Sequence, residues 1–81
     1  MVRRVLLLGK WNLAAIMADR RISDEELAKR LGELTGRAPH PKTVYKWRTA
    51  LDRPNIRLDH WDALPLILNC SHADLIGKEE N

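Results

Sequence analysis

The stretch Ser23-Asp-Glu-Glu-Leu-Ala-Lys-Arg-Leu-Gly-Glu-Leu-Thr-Gly36, then Arg37-Ala-Pro-His-Pro41, then Lys42-Thr-Val-Tyr-Lys-Trp-Arg-Thr-Ala-Leu51, decides how this chain is built. Ser23 to Glu26 fits a capping box, with Ser23 as cap and the Glu26 side chain reaching back. Ile22 and Leu27 stand where a hydrophobic staple forms. Leu27, Leu31 and Leu34 recur at i, i+4 and i+7, with Ala28 beside them, and predict an amphipathic helix. Gly32 costs about 1 kcal/mol inside that helix, and Gly36 is the better stop, because glycine takes the left-handed conformation without strain. Pro39 and Pro41 force an extended turn. Pro41 then suits the first position of a further helix, where a missing N–H does no harm. That helix is predicted over 41–51, with Val44, Trp47 and Leu51 as its apolar stripe and Lys42, Tyr45, Lys46 and Thr49 facing elsewhere.

Outward from this pair, the rest reads as short helices. Asn12 is the expected cap of a first helix carrying Leu13, Ile16 and Met17 on one stripe and ending near Asp19 to Arg21. Asp52 to Asn55 reads as a turn. A fourth helix is expected from about Asp59, burying Trp61, Leu64, Ile67 and Leu68. Pro65 should kink or split it, at a cost of ~3 kcal/mol in the interior. Ser71-His-Ala-Asp74 repeats the capping pattern and opens a one-turn helix with Leu75 and Ile76, ended by Gly77. Val2 to Leu8 reads as a short strand or arm, suited to packing on the helices or pairing with a second subunit, and residues 78–81 as a frayed tail. The expectation is one domain over 1–81: all-α, a compact bundle of about five short helices.

Composition narrows the function. The chain has 81 residues, 44% of them hydrophobic, which is too many for a disordered tail and too few residues for a nucleotide fold or a barrel. One cysteine excludes an internal disulfide and a multi-cysteine zinc site, and points to a reducing compartment. The apolar run Val5 to Leu8 is too short for a signal peptide, and nothing approaches the ~20 residues of a membrane span. A cytoplasmic protein is expected, without membrane contact. The net charge of +3 divides into balances of +4 over 1–21, −2 over 22–36, +5 over 37–57 and −4 over 58–81. A basic middle between acidic segments suits a polyanion. No nucleophile stands with a base and an orienting group, and no glycine-rich phosphate loop occurs, so the enzyme reading is rejected. His60, Cys70 and His72 are too few for a metal site, and no cofactor or metal is expected. Trp11, Trp47 and Trp61 sit on apolar stripes and read as core rather than base-stacking platforms. Cys70 reads as a small buried hydrophobe, and Asp59 and Asp62 as helix-start acids.

Two helices separated by a break, the second one basic, are the parts of a helix-turn-helix. The first lies across the phosphate backbone, and the second enters the major groove, whose width admits an α-helix. Glu26-Leu-Ala-Lys-Arg-Leu-Gly32, Thr43-Val-Tyr-Lys-Trp-Arg48, Ile56-Arg-Leu-Asp-His-Trp61 and Leu68-Asn-Cys-Ser-His-Ala-Asp-Leu75, in this order, resemble the phage-repressor-type helix-turn-helix regulators, the Cro/repressor or XRE class. The resemblance covers about residues 11–77. It implies a lambda-repressor-like bundle that binds operator DNA as a homodimer, in a bacterial cytoplasm or a phage-infected host.

Carried over by position, Lys42, Thr43, Tyr45, Lys46 and Thr49 are the candidates for base edges and nearby phosphates, with His40 and Pro41 at the groove-facing tip. Arg37, Arg48 and Arg53 complete the DNA-binding set, although Arg48 stands where the family often has an acidic or small residue. Val44 and Trp47 match packing positions. Ala28 and Val44 lie further apart than in the family, so the second helix, the turn, or both must be longer. The expected function is a sequence-specific DNA-binding transcriptional regulator that inserts helix 41–51 into the major groove as a homodimer. The alternative is a protein-interaction module, an antitoxin or adaptor, that keeps the fold and binds another protein.

Overall fold

Five helices run through residues 11–76, the part of the chain that the computed structural model describes: α1 Leu13–Arg20, α2 Asp24–Thr35, α3 Pro41–Thr49, α4 Leu58–Leu68 and α5 His72–Ile76. The described residues form an all-α bundle with no strand. The strand or arm expected at 1–10, the Gly77 stop and the tail at 78–81 lie outside them. Among the described residues no helix is long and apolar enough to cross a membrane.

Local signals place the helix ends. The Ser23 hydroxyl accepts from the Glu26 N–H at 3.1 Å, which satisfies one of the donors that a helix start leaves open. The Glu26 carboxylate does not reach back as expected; it pairs with Arg30 one turn on, at 2.7 Å. Gly36 closes α2 at φ 80°. Pro41 occupies the first turn of α3, and the His40 ring is its cap, Nδ1 accepting from the Lys42 N–H at 3.0 Å. At α5 the capping pattern is reciprocal: Ser71 Oγ accepts from Asp74 N, and Asp74 Oδ2 accepts from Ser71 N.

Asn12 is a correction. It makes no side-chain cap for α1. It is buried, and instead donates its backbone N–H to Leu75 O at 2.8 Å and its amide Nδ2 to Asp74 O at 3.2 Å. It therefore answers carbonyls of α5 and ties the start of the described chain to its end.

The core draws on every helix. Leu13, Leu27, Leu31, Val44, Leu64, Leu68 and Leu75 are fully buried, each apolar side chain of this size contributing about 1.5–3 kcal/mol. The staple residue Ile22 packs against this cluster. Helix α2 packs on α3 and α4, and α1 packs on the same two. Two residues of the expected stripes lie outside the core, Leu34 at 55% exposed and Leu51 at 90%, and Trp61 and Ile67, expected to be buried, are only half-buried against it. Leu51 is out because α3 stops at Thr49. The Trp47 carbonyl, which the Leu51 N–H would meet in a longer helix, instead accepts from the Trp11 indole N–H and from Ala50 N.

Pro65 does not split α4; the helix is continuous from Leu58 to Leu68. Proline removes the N–H that would bond the carbonyl four residues earlier, that of Trp61. His72 Nε2 fills the place, at 2.9 Å from Trp61 O, and its ring stacks on the Trp61 indole with centroids 4.4 Å apart. A carbonyl only accepts, so this nitrogen carries the proton. The C-terminal carbonyls of α4 are answered by Arg20, with Nε 2.7 Å from Leu68 O and Nη2 3.0 Å from Asn69 O.

Candidate nucleic-acid interface

Helix α3 has two faces. Val44 and Trp47 are buried. Lys42, Tyr45, Lys46 and Thr49 are exposed, Tyr45 by 52%. At about 100° of rotation per residue, the centre of these four lies about 180° from the centre of the buried pair. One helix thus grips the core along one edge and presents two lysines, a phenol and a hydroxyl along the other. Among the described residues neither lysine is held by a carboxylate.

The span between Ala28 and Val44 is divided between two elements: α2 runs to Thr35, and residues 36–40 connect it to α3. This connector is fastened to the bundle. The Arg37 N–H donates to Thr35 Oγ1 at 3.2 Å. Buried His60 donates from Nε2 to Arg37 O at 2.7 Å and tilts its ring on Trp47. A Cβ on Gly32 would meet the Ala38 Cβ at 2.7 Å, so the glycine, a helix breaker by propensity, lets the connector lie against α2. The start of α3 is therefore anchored from both α2 and α4.

The other expected site residues are placed differently. Thr43 is half-buried at the side of α3, and the Thr49 hydroxyl donates back to Tyr45 O at 2.8 Å. Arg37 is exposed at the connector, near the N-terminal end of α3. The His40 ring caps the helix rather than standing free. Arg48 does not project beside the lysines: its Nε and Nη2 donate to Asp24 at 2.6 and 3.0 Å. That hydrogen bonding raises the Arg48 pKa above its ordinary value, outweighing the loss of solvation, which lowers it. Arg53 lies beyond the C-terminal end of α3, with its guanidinium 5.3 Å from the centre of the Trp61 ring. The face that the structure brings together is Lys42, Tyr45, Lys46 and Thr49, with Arg37 at one end.

Sequence reasoning missed Asp24, His60 and His72. A signal existed for His72, because a proline inside a helix orphans a known carbonyl and asks for a donor. The tryptophans have the structural role expected of them: Trp11 and Trp47 are buried, and Trp61 stacks on Trp11 with centroids 6.2 Å apart. The rings of His60 and His72 serve backbone carbonyls, and among the described residues no three His, Cys, Asp or Glu side chains are grouped to hold a metal ion. Comparison with family models, with curated proteins and with solved structures finds no match to the chain.

Proposed function

We propose that this chain is a sequence-specific DNA-binding regulator that sets α3 into the major groove. Support comes from one observation above all: Lys42, Tyr45, Lys46 and Thr49 share the exposed side of a helix whose other side is locked into the core by Val44 and Trp47. A major groove admits such a helix, lysines donate to guanine acceptors or phosphate, the phenol contacts phosphate or base edges, and Thr49, its proton engaged by Tyr45 O, offers its methyl group and hydroxyl oxygen to base edges. The helix-turn-helix resemblance is consistent with this reading, with the longer connector held in place by Gly32, Thr35 and His60. The homodimer is part of the proposal. Leu58 and Leu66 lie on the outer side of α4, exposed by 72% and 75%, and are surface that a second copy would cover.

The test is salt-titrated binding to duplex DNA. Affinity should fall steeply with salt, with a slope of about −0.9 per phosphate neutralised. Lys42→Ala with Lys46→Ala should weaken binding and make that slope shallower by up to about two such increments. Unchanged affinity would remove the proposed face. A second reading, the protein-interaction module, draws on the same exposed leucines together with Leu51. Tight, salt-insensitive binding of a protein partner, with no DNA retained at low salt, would favour it.

A further inference from the structure

A chain of contacts runs from the first turn of α2 to the middle of the α3 face. Asp24 is 16% exposed and Arg48 35% at their side chains. The two-pronged bond between them joins residues 24 positions apart and fixes the plane of the guanidinium, because both oxygens of the carboxylate are engaged. The same guanidinium lies 5.0 Å from the centre of the Tyr45 ring, within the reach of a cation–π contact. Tyr45 is the chain's single tyrosine and the largest side chain on the exposed stripe.

We propose that Asp24 and Arg48 are positioning residues that hold Tyr45 as the base-reading side chain of α3. The inference rests on the DNA-binding reading and goes beyond it by separating two kinds of cation. Lys42 and Lys46 act as point charges toward phosphate. Arg48 is already neutralised by Asp24 and stands beside an aromatic ring, so its contribution is to orientation. Fixing the phenol before binding lowers the ordering cost on the complex, and a hydroxyl held in one place discriminates between base edges where a mobile one would not. Lysine cannot replace Arg48 in this role, since it lacks both the fork and the flat surface.

The experiment uses the full chain, a duplex selected by it from a random-sequence pool, and a scrambled duplex of the same composition. Arg48→Lys, Asp24→Asn and Tyr45→Phe should each lower the ratio of selected to scrambled affinity by about tenfold, the loss of one modest base contact. All three should leave the salt slope unchanged. Tyr45→Phe combined with Arg48→Lys should lose no more than the larger single loss, because coupled residues are not additive. In the free protein, NMR of the single tyrosine should show contacts between its ring and the Arg48 side chain, and the ring signals should move in Asp24→Asn. A full ratio in Arg48→Lys overturns the proposal, as does a slope lowered by about one phosphate in Arg48→Gln, which would make Arg48 a phosphate ligand. Ring signals unmoved in folded Asp24→Asn overturn it independently of DNA. Wild-type protein that retains no duplex overturns the DNA-binding reading itself, and this inference with it.

Discussion

The outward face of α3 and the junction of α4 with α5 are both rich in polar side chains, and they use them in opposite ways. At the junction the polar atoms are matched inside the chain. His72 serves the Trp61 carbonyl, Arg20 serves those of Leu68 and Asn69, Ser71 and Asp74 serve each other, and Asn12 serves Asp74 and Leu75. On α3 the Lys42 and Lys46 ammonium groups face water. The difference follows the type of cation in part, with Arg37 an exposed exception at the connector. Arg20, Arg30, Arg48 and Arg57 are each bonded to a carboxylate, Arg20 to a pair of carbonyls as well. A planar fork suits fixed internal geometry, whereas a compact, strongly hydrated ammonium is easily left outside. Net charge along the sequence therefore overstates what a ligand meets: part of the basic block at 37–57 is internally neutralised.

The largest effect should come from breaking the matched region at its centre. His72→Ala leaves the Trp61 carbonyl without its donor and removes a stacked ring, at a cost of about 2–3 kcal/mol in urea unfolding. In a Pro65→Ala background, residue 65 supplies the missing N–H, so the same change should cost about 1 kcal/mol less. Equal costs in the two backgrounds would show that the imidazole is not substituting for the backbone bond. Arg20→Ala should be next, at about 1–2 kcal/mol, since the end of α4 is more exposed and water replaces part of what is lost. On the other side of the comparison, Lys42→Ala with Lys46→Ala should shift stability by less than about 0.5 kcal/mol. A larger loss would mean that the α3 face is structural after all.

What was legible in the sequence was what acts within one helical turn. The Ser23 hydroxyl cap, the Gly36 stop, Pro41 at the start of α3 and the Ser71–Asp74 box all work over four residues or fewer, and each is found where the residue types place it. The division of α3 into a packed and an open side was legible for the same reason, from helical periodicity. What was not legible depends on docking. Arg48 reads as a surface cation until α2 brings Asp24 to it. Leu51 continues a perfect apolar stripe, yet the helix ends before it, where Trp11, 36 residues away, bonds the Trp47 carbonyl. Asn12 has the composition of a cap but is claimed by α5. Polar residues are ambiguous in this way because they bond over any sequence separation, whereas an apolar residue on a periodic stripe has one main role.

The smallest effect at neutral pH tests whether the matched region also shields what it does not bond. Cys70 follows α4, half-buried, within electrostatic reach of Asp74 and Arg20. Burial first, and the Asp74 carboxylate second, push its thiol up to about 11, with Arg20 opposing. An unfolded chain ionises its thiol near pH 8.5, so between there and about 11 the unfolded state loses the proton first. Stability from the shielded thiol is thus fully present below pH 8.5 and drains away as pH rises toward the folded value. Urea midpoints of the wild type should accordingly fall more steeply than those of Cys70→Ala above pH 9, and the two should run parallel below pH 8. Labelling by a thiol reagent at pH 8 should be slower in the folded chain than in urea, because the thiolate is the reacting form. Parallel curves throughout, with rapid labelling, would mean that the end of α4 opens freely. The contrast between a closed junction and an open α3 face would then rest on hydrogen bonds alone, without the exclusion of water that burial of Cys70 implies.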